Sequence, residues 1–199
     1  MVLSLAPAIG VLLGLACGGH LMRLAALRLR YAWLVLPALA VQLLLIFAPP
    51  VPPDQGHDPL RLWLPLSFVP LTAFVVANVR LPGMPLVLVG LLANAGVIVS
   101  NGGLMPTNAP TLTAAGMSES VALAQAQPGI RLPSSKDVML PVAETRLWWL
   151  SDTLVSPPIP RRKVMSVGDL FVAVGVITLA FQITRGGAAG TGRPAAPQM

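Results

Sequence analysis

Long apolar runs alternate with short polar breaks along this chain. Five runs, at about 2–22, 31–48, 61–79, 82–100 and 167–184, approach the ~20 mostly apolar residues that an α-helix needs to cross a hydrocarbon core. The breaks are a basic turn holding Arg23, Arg28 and Arg30, a Pro-rich loop "APPVPPDQGHDP", a tight turn "NVRLPG", and a long segment from 101 to 166. The pattern predicts an all-α fold, a polytopic membrane bundle of about five transmembrane helices with one or two short interfacial helices in the extramembrane segment 101–166. There, "TLTAAGMSESVALAQAQ" (111–127) predicts a short helix closed by Pro128 and Gly129. "AETRLWWLSDTLV" is too short and too charged to span, and predicts an interfacial or partly re-entrant helix. Residues 1–184 then form a single transmembrane domain. The Gly/Ala/Pro-rich tail 185–199 is expected to be disordered.

Composition supports a bilayer as solvent. Hydrophobic residues make up 55% of the 199 and charged residues only 10%, against about 25% charged in soluble domains. The net charge of +6 comes from thirteen Lys and Arg, which lie at the ends of the apolar runs, as in oriented membrane proteins. A nucleic-acid reader would gather them on one soluble face, so no nucleic-acid partner is expected. With the first loop cytoplasmic, Arg23, Arg28, Arg30, Arg80, Arg185 and Arg193 share one side, and Arg61 with Arg161, Arg162 and Lys163 the other. That favours the N-terminus out and the C-terminus in, although the Arg161–Lys163 cluster beside the fifth run opposes it. Trp33, Trp63, Trp148 and Trp149 suit headgroup-level boundaries. The start lacks the basic opening of a secretory signal, so the first helix is expected to be retained. Cys17 is alone, which excludes an internal disulfide and a cysteine-based metal site.

Several polar and glycine motifs interrupt the apolar runs. Gly10, Gly14 and Gly18 recur every four residues, a smooth stripe suited to helix packing, within the chain or between copies. Gly90, Asn94, Val97 and Asn101 share a face of the fourth run, which must point into the bundle so that its amides find partners. In "NGGLMP", Gly102 and Gly103 permit unusual torsions and Pro106 forbids helix continuation, biasing Met105 away from helical torsions. A shaped break is expected, buried in protein or lining a wet cavity. Ser166 and Asp169 in "SVGD" are spaced as a capping box, with Asp169 alternatively a buried carboxylate facing a cation or proton. Asp152, in "WLSD", could share its region. Gly168 precedes Asp169, but the Gly-x-Gly-Asp of membrane aspartyl proteases is absent, as is a second Asp within a run. Asp54, His57 and Asp58 in "DQGHD" read as a solvated loop. No P-loop, dinucleotide, heme-attachment, zincin or nucleophile-elbow motif occurs. No catalytic residue, cofactor or metal is therefore assigned.

"GLACGGHLMRLAALRLRYAWLVLPALAVQ", "NGGLMP" and "WLSDTLVSPPIP…SVGD" together resemble a family of small bacterial multi-pass membrane proteins filed as a domain of unknown function. The likeness spans about residues 10–180. The family often has Leu-Gly-Asp where this chain has Leu-Ser-Asp at 150–152, with Asp152 in place. The resemblance implies a bacterial cytoplasmic (inner) membrane location and no established activity. It singles out Gly18, Gly19, Gln42, Asn101, Gly102, Gly103, Met105, Pro106, Asp152, Ser166, Gly168 and Asp169. Gln42 is a polar group within the second run that would need a bundle partner.

The expected function is that of a non-enzymatic membrane component with a structured pocket or docking surface at its outer face. Asn94, Asn101, Gly102, Gly103, Met105, Pro106, Asp152, Ser166, Gly168 and Asp169 are its ligand- or partner-binding candidates. Arg161, Arg162 and Lys163 are candidates for lipid headgroups. Gly10, Gly14, Gly18 and Gln42 are assigned to helix packing. Partners are the lipid bilayer and a membrane protein or second copy. Two alternatives stand: a small-solute transporter or channel, and a membrane-embedded hydrolase or transferase using Asp152 and Asp169. The last requires both carboxylates to meet at one cavity.

Overall fold

A computed structural model describes residues 2–158 and 162–186. Arg161, Arg193 and the tail from 187 onward lie outside them. The chain is mostly helical: α1 (Val2–Ala16), α2 (Met22–Ala25), α3 (Val35–Phe47), α4 (Leu60–Ala77), α5 (Met84–Ser100), α6 (Ala109–Ala114), α7 (Ser118–Ala126) and α8 (Val167–Arg185). By length and composition α4 and α8 are long and apolar enough to cross a membrane, and Leu5–Ala16, Ala32–Phe47 and Met84–Ser100 are shorter apolar helices. The first helix stops sooner than its apolar run because Gly18 turns the chain at φ +82°.

Helix α8 holds the bundle together, packing α1 on one side and α5 on the other, while α4 bridges α5 to α3. Small residues allow these approaches. A Cβ on Gly10 would lie 2.5 Å from the Ile177 carbonyl, and one on Gly14 would lie 2.7 Å from Thr184 Cβ, so α1 runs parallel to α8. A Cβ on Gly83 would meet the Gly175 carbonyl at 2.1 Å, and one on Gly90 the Gly168 carbonyl at 2.4 Å, so α5 runs antiparallel to it. Gly18 takes no part, for a Cβ there meets nothing within 4 Å. Gly90→Val is expected to destabilise by about 1–3 kcal/mol, the usual range for overpacking, seen as a lower melting temperature. Gly96→Ala, which opens onto free space, should instead hold or raise it; equal losses in both would contradict this packing.

Charge divides by end. Arg23, Arg28, Arg30, Arg80 and Arg185 lie at the end where α8 finishes. All seven Asp and Glu lie at the other, in the α3–α4 loop, the segment 101–166 and the first turn of α8. Arg23 donates to the carbonyls of Thr184 and Arg185, closing the C-terminus of α8 as a cation should.

The segment 101–166 departs from the all-α expectation. Among its described residues it holds four short strands: β1 (Met105–Thr107), β2 (Asp137–Met139), β3 (Leu154–Val155) and β4 (Val164–Met165). β1 pairs parallel with β2, Met105 opposite Asp137 and Thr107 opposite Met139, while β3 pairs antiparallel with β4. The helix expected over 111–127 is split at Gly116, φ +79°, into α6 and α7. The interfacial helix expected at "AETRLWWLSDTLV" is absent. Single turns at Val142–Glu144 and Trp148–Leu150 flank Leu147 at φ +53°, and the Asp152 N–H bonds across to the Pro106 carbonyl at 3.0 Å. The segment is continuous with the bundle: Leu104, Met105 and Val138 share one buried core with Leu45, Leu64, Phe68, Val97 and Ile98.

Candidate functional site

Arg131 anchors the segment. Its side chain is fully buried, with Nε 2.7 Å from Asp58 Oδ2. Nη1 donates to the carbonyls of Leu45 and Ser135, and Nη2 to those of Ala48 and Pro49. Leu45 and Ala48 end α3, where carbonyls have no helical N–H, so one guanidinium closes a helix and neutralises a carboxylate. Asp58 Oδ1 also accepts the Leu60 N–H as α4 begins. Asp58 is thus buried, not in the solvated loop expected from "DQGHD".

The "NGGLMP" break fixes the next layer. Asn101 ends α5, its Nδ2 donating to the carbonyls of Val97 and Arg146 while its Oδ1 accepts the Arg146 N–H. Pro65 has no N–H for the Arg61 carbonyl four residues earlier. Gly103, whose own N–H bonds the Ile98 carbonyl at 2.8 Å, packs against that oxygen so closely that a Cβ would lie 1.8 Å from it. The chain then enters β1, where buried Met105 and Pro106 place Thr107 to donate through Oγ1 to the Asp152 carbonyl at 2.8 Å. The motif therefore sets the backbone around Asp152 and presents no reactive side chain.

A second network comes from α5 and α8. Ser166 and Asp169 form a capping box. Asn94 donates to Asp169 Oδ1 at 2.9 Å and accepts from Ser166 Oγ at 2.8 Å. A Cβ on Gly168 would lie 2.1 Å from Asn94 Oδ1, so this position must be glycine for the amide to enter. Both Asp169 oxygens are occupied, Oδ2 by the Ser166 N–H.

These layers border an open cavity of about 720 Å³ lined by Lys136, Asp137, Asp152, Asp169, Arg162 and Lys163 among others, within the range of small-molecule sites. Lys136 Nζ lies 3.1 Å from Asp152 Oδ2 and 3.4 Å from Asp137 Oδ1. Asp137 Oδ2 accepts from Ser135 Oγ at 2.6 Å. Asp152 is 2% exposed, yet its Oδ1 has no hydrogen-bond partner, a state shared among the described buried side chains only by Gln127 Oε1. Arg162 and Lys163 are exposed at the mouth. No three of the described His, Cys, Asp and Glu gather as a metal site.

Burial raises the Asp152 carboxyl well above the ordinary range, and the Asp137 and Asp169 charges add to it against the pull of Lys136. Burial works to lower Lys136, but Asp152, Asp137 and Asp169 outweigh it and hold the ammonium above its usual value. A carboxyl whose pKa is higher folded than unfolded makes the folded state the tighter proton binder. Its contribution is complete below the unfolded value, near ~3.9, and is lost as pH rises through the folded one. Wild type is expected to lose thermal stability over that window, and Asp152→Asn to flatten the loss. Melts from about pH 4 to pH 8 check this, and identical slopes would contradict it. Lys136 is silent there, since its contribution is lost only above its own ordinary value.

Of the residues singled out by sequence, Asp152, Asp169, Arg162 and Lys163 line the cavity. Asn94, Ser166 and Gly168 support it from behind. Asn101, Gly103, Met105 and Pro106 position its backbone; Gly102, at φ +78°, has only Arg61 Nη1 near a Cβ, at 3.7 Å. Gly10 and Gly14 sit away from it against α8, and Gln42 is half-buried in α3. Lys136, Asp137 and the Arg131–Asp58 pair were not marked in advance. The one available signal was a scatter of charge in an apolar chain.

A profile described as "Family of unknown function (DUF5317)" matches residues 26–181. The chain is 31% identical over 122 residues to a protein of Thermotoga maritima whose name is "Uncharacterized protein". That alignment covers 58% of this chain and 61% of the relative. No solved structure matches.

Proposed function

The chain belongs to the DUF5317 family of unknown function, and on that premise we propose that it is a multi-pass protein of the bacterial cytoplasmic membrane with a ligand-binding cavity at its outer face. Five apolar helices, taken as five spans, support the membrane reading. Leu12, Leu36, Phe47, Leu62, Val69 and Val99 are all exposed on them, and apolar surface of this kind suits a membrane or a partner. The shorter helices imply local bilayer thinning. The end with five arginines and no acid is the cytoplasmic one, so the N-terminus is out and the C-terminus in. Arg162 and Lys163 belong to a long folded segment, where the rule has less force.

The observation that carries the binding role is Asp152, a cavity-lining carboxyl that is 2% exposed and whose buried Oδ1 has no partner. A buried acceptor left unmade costs about 1–3 kcal/mol, which a bound donor would offset. A non-enzymatic role fits because Asp169, the other acid of a catalytic pair, has both oxygens committed. A transporter fits less well, since buried Asn94 and Ser166 lie near one end and Asn78 and Thr184 near the other, with Val87, Ala173 and Ala180 between.

Tagged protein purified from native membranes, with mass spectrometry of what accompanies it, tests the proposal. A small molecule or lipid present with wild type and lost with Asp152→Asn is expected. Identical profiles from both, with the variant folded, would sink it. One observation favours a hydrolase or transferase as second reading: Asp152 and Asp169 line the same cavity. A chemically altered form of the bound molecule, made by wild type and not by Asp152→Asn, would select it.

A further inference from the structure

Resting on that reading of the cavity, we infer that its ligand is a small zwitterion, an N–H-bearing ammonium for the Asp152 side and a phosphate or carboxylate for Arg162 and Lys163. The inner wall carries three carboxylates, Asp137, Asp152 and Asp169, around the single ammonium of Lys136. Positive charge is therefore outnumbered beside Asp137 and Asp152, both buried. Lys136 already engages Asp152 Oδ2, and Oδ1 has no partner. An ionised carboxylate oxygen only accepts, so what completes it must donate.

A divalent metal is the weaker fit. It needs several oxygens converging on one point, whereas no three of the described acids do so, and the Lys136 ammonium stands between Asp137 and Asp152. An organic ammonium needs no such convergence and can share the carboxylates with Lys136. Burial, with the Asp137 and Asp169 charges, raises the Asp152 carboxyl, and a ligand's ammonium beside it would favour the charged form that accepts.

The mouth supplies the opposite sign. Arg162 and Lys163 are exposed cations on the same cavity, and Arg162 is held by Nη1 donating to the Ala114 carbonyl at 3.1 Å. Acid within and base at the rim select a molecule charged in the same order. Its source is either a free amino-phosphate or amino acid, or the headgroup of an aminophospholipid from the adjoining leaflet; the chemistry recognised is the same.

The test uses the full chain, first in detergent free of aminolipid, titrated calorimetrically with O-phosphoethanolamine and with O-phosphocholine, which has no N–H. Saturable binding of phosphoethanolamine is expected, with phosphocholine about tenfold weaker or more. Asp152→Asn should weaken phosphoethanolamine roughly thirtyfold, and Arg162→Ala about two- to fivefold with added salt sensitivity. Nanodiscs of phosphatidylcholine with and without phosphatidylethanolamine, read by native mass spectrometry, form the second arm. Binding of the soluble probe marks a free solute as sufficient; retention of the aminolipid alone marks the headgroup. Either supports the inference. Equal binding of the two soluble probes, or of neither probe nor aminolipid above the Asp152→Asn level, overturns it. Should Asp152→Asn fail to fold, the contrast between the probes on wild type still decides. A molecule from native membranes that depends on Asp152 yet has no ammonium would leave the binding function standing and overturn this inference alone.

Discussion

Arg131→Met is expected to leave little folded protein. The guanidinium it removes is fully buried and bonds to Asp58, to the carbonyls of Leu45, Ala48 and Pro49 at the end of α3, and to that of Ser135. Breaking a buried pair from one side costs about 3–5 kcal/mol, a large fraction of the roughly 5–15 kcal/mol by which proteins are stable. Adding Asp58→Asn to the variant removes the stranded charge but not the stranded carbonyls, so only part of the loss should return. Arg131→Lys should also fail, because a single ammonium cannot span the α3 terminus and Asp58 together. Yield of monodisperse protein in detergent and its melting temperature are the readouts. An unchanged melting temperature in Arg131→Met would mean that the segment 101–166 is not pinned to α3 and α4 as described.

Gly103→Ala is expected to have the next largest effect, about 2–5 kcal/mol. Part is torsional: Gly103 sits at φ +89°, which costs an L-residue about 1–2 kcal/mol. The rest is steric, for the new methyl would overlap the Arg61 carbonyl, a backbone atom that moves only with α4, and overpacking costs about 1–3 kcal/mol. Gly102→Ala, with φ +78° and only an arginine tip nearby, should lose the torsional part alone. Because β1 follows directly and its Pro106 carbonyl holds the Asp152 N–H, Gly103→Ala should also weaken whatever the cavity binds. Denaturation curves of the two variants side by side check the order, and a Gly102→Ala loss equal to that of Gly103→Ala would contradict the steric half.

What the sequence made legible was local. The runs at 61–79, 82–100 and 167–184 became α4, α5 and α8 nearly to the residue, because apolar continuity marks a helix that faces nothing polar. Ser166 and Asp169 were readable as a cap, since the capping box lies within one turn. "NGGLMP" was readable as a break, because glycine and proline act on their own torsions. Its destination was not readable: two- and three-residue strands have no periodicity to detect, and β1 meets β2 only after an excursion through α6 and α7. Nothing near Arg131 marks it as the partner of Asp58, 73 residues away. Nothing in the sequence around Lys136 and Asp137 marks them as neighbours of Asp152, beside which the fold sets them. The smooth stripe at Gly10 and Gly14 was plain in sequence, as was the inward face carrying Gly90, whereas the pairing of Gly83 with Gly175 and of Gly90 with Gly168 joins two distant helices and has no local mark.

The most direct measurement is a structure of the full chain purified in mild detergent from its native membrane, at a resolution that shows ordered small molecules. A non-protein molecule with a donor within hydrogen-bonding distance of Asp152 Oδ1 is the expected result. A cavity holding only water there, or closed by the chain itself, would contradict the claim that this end of the bundle is built to bind.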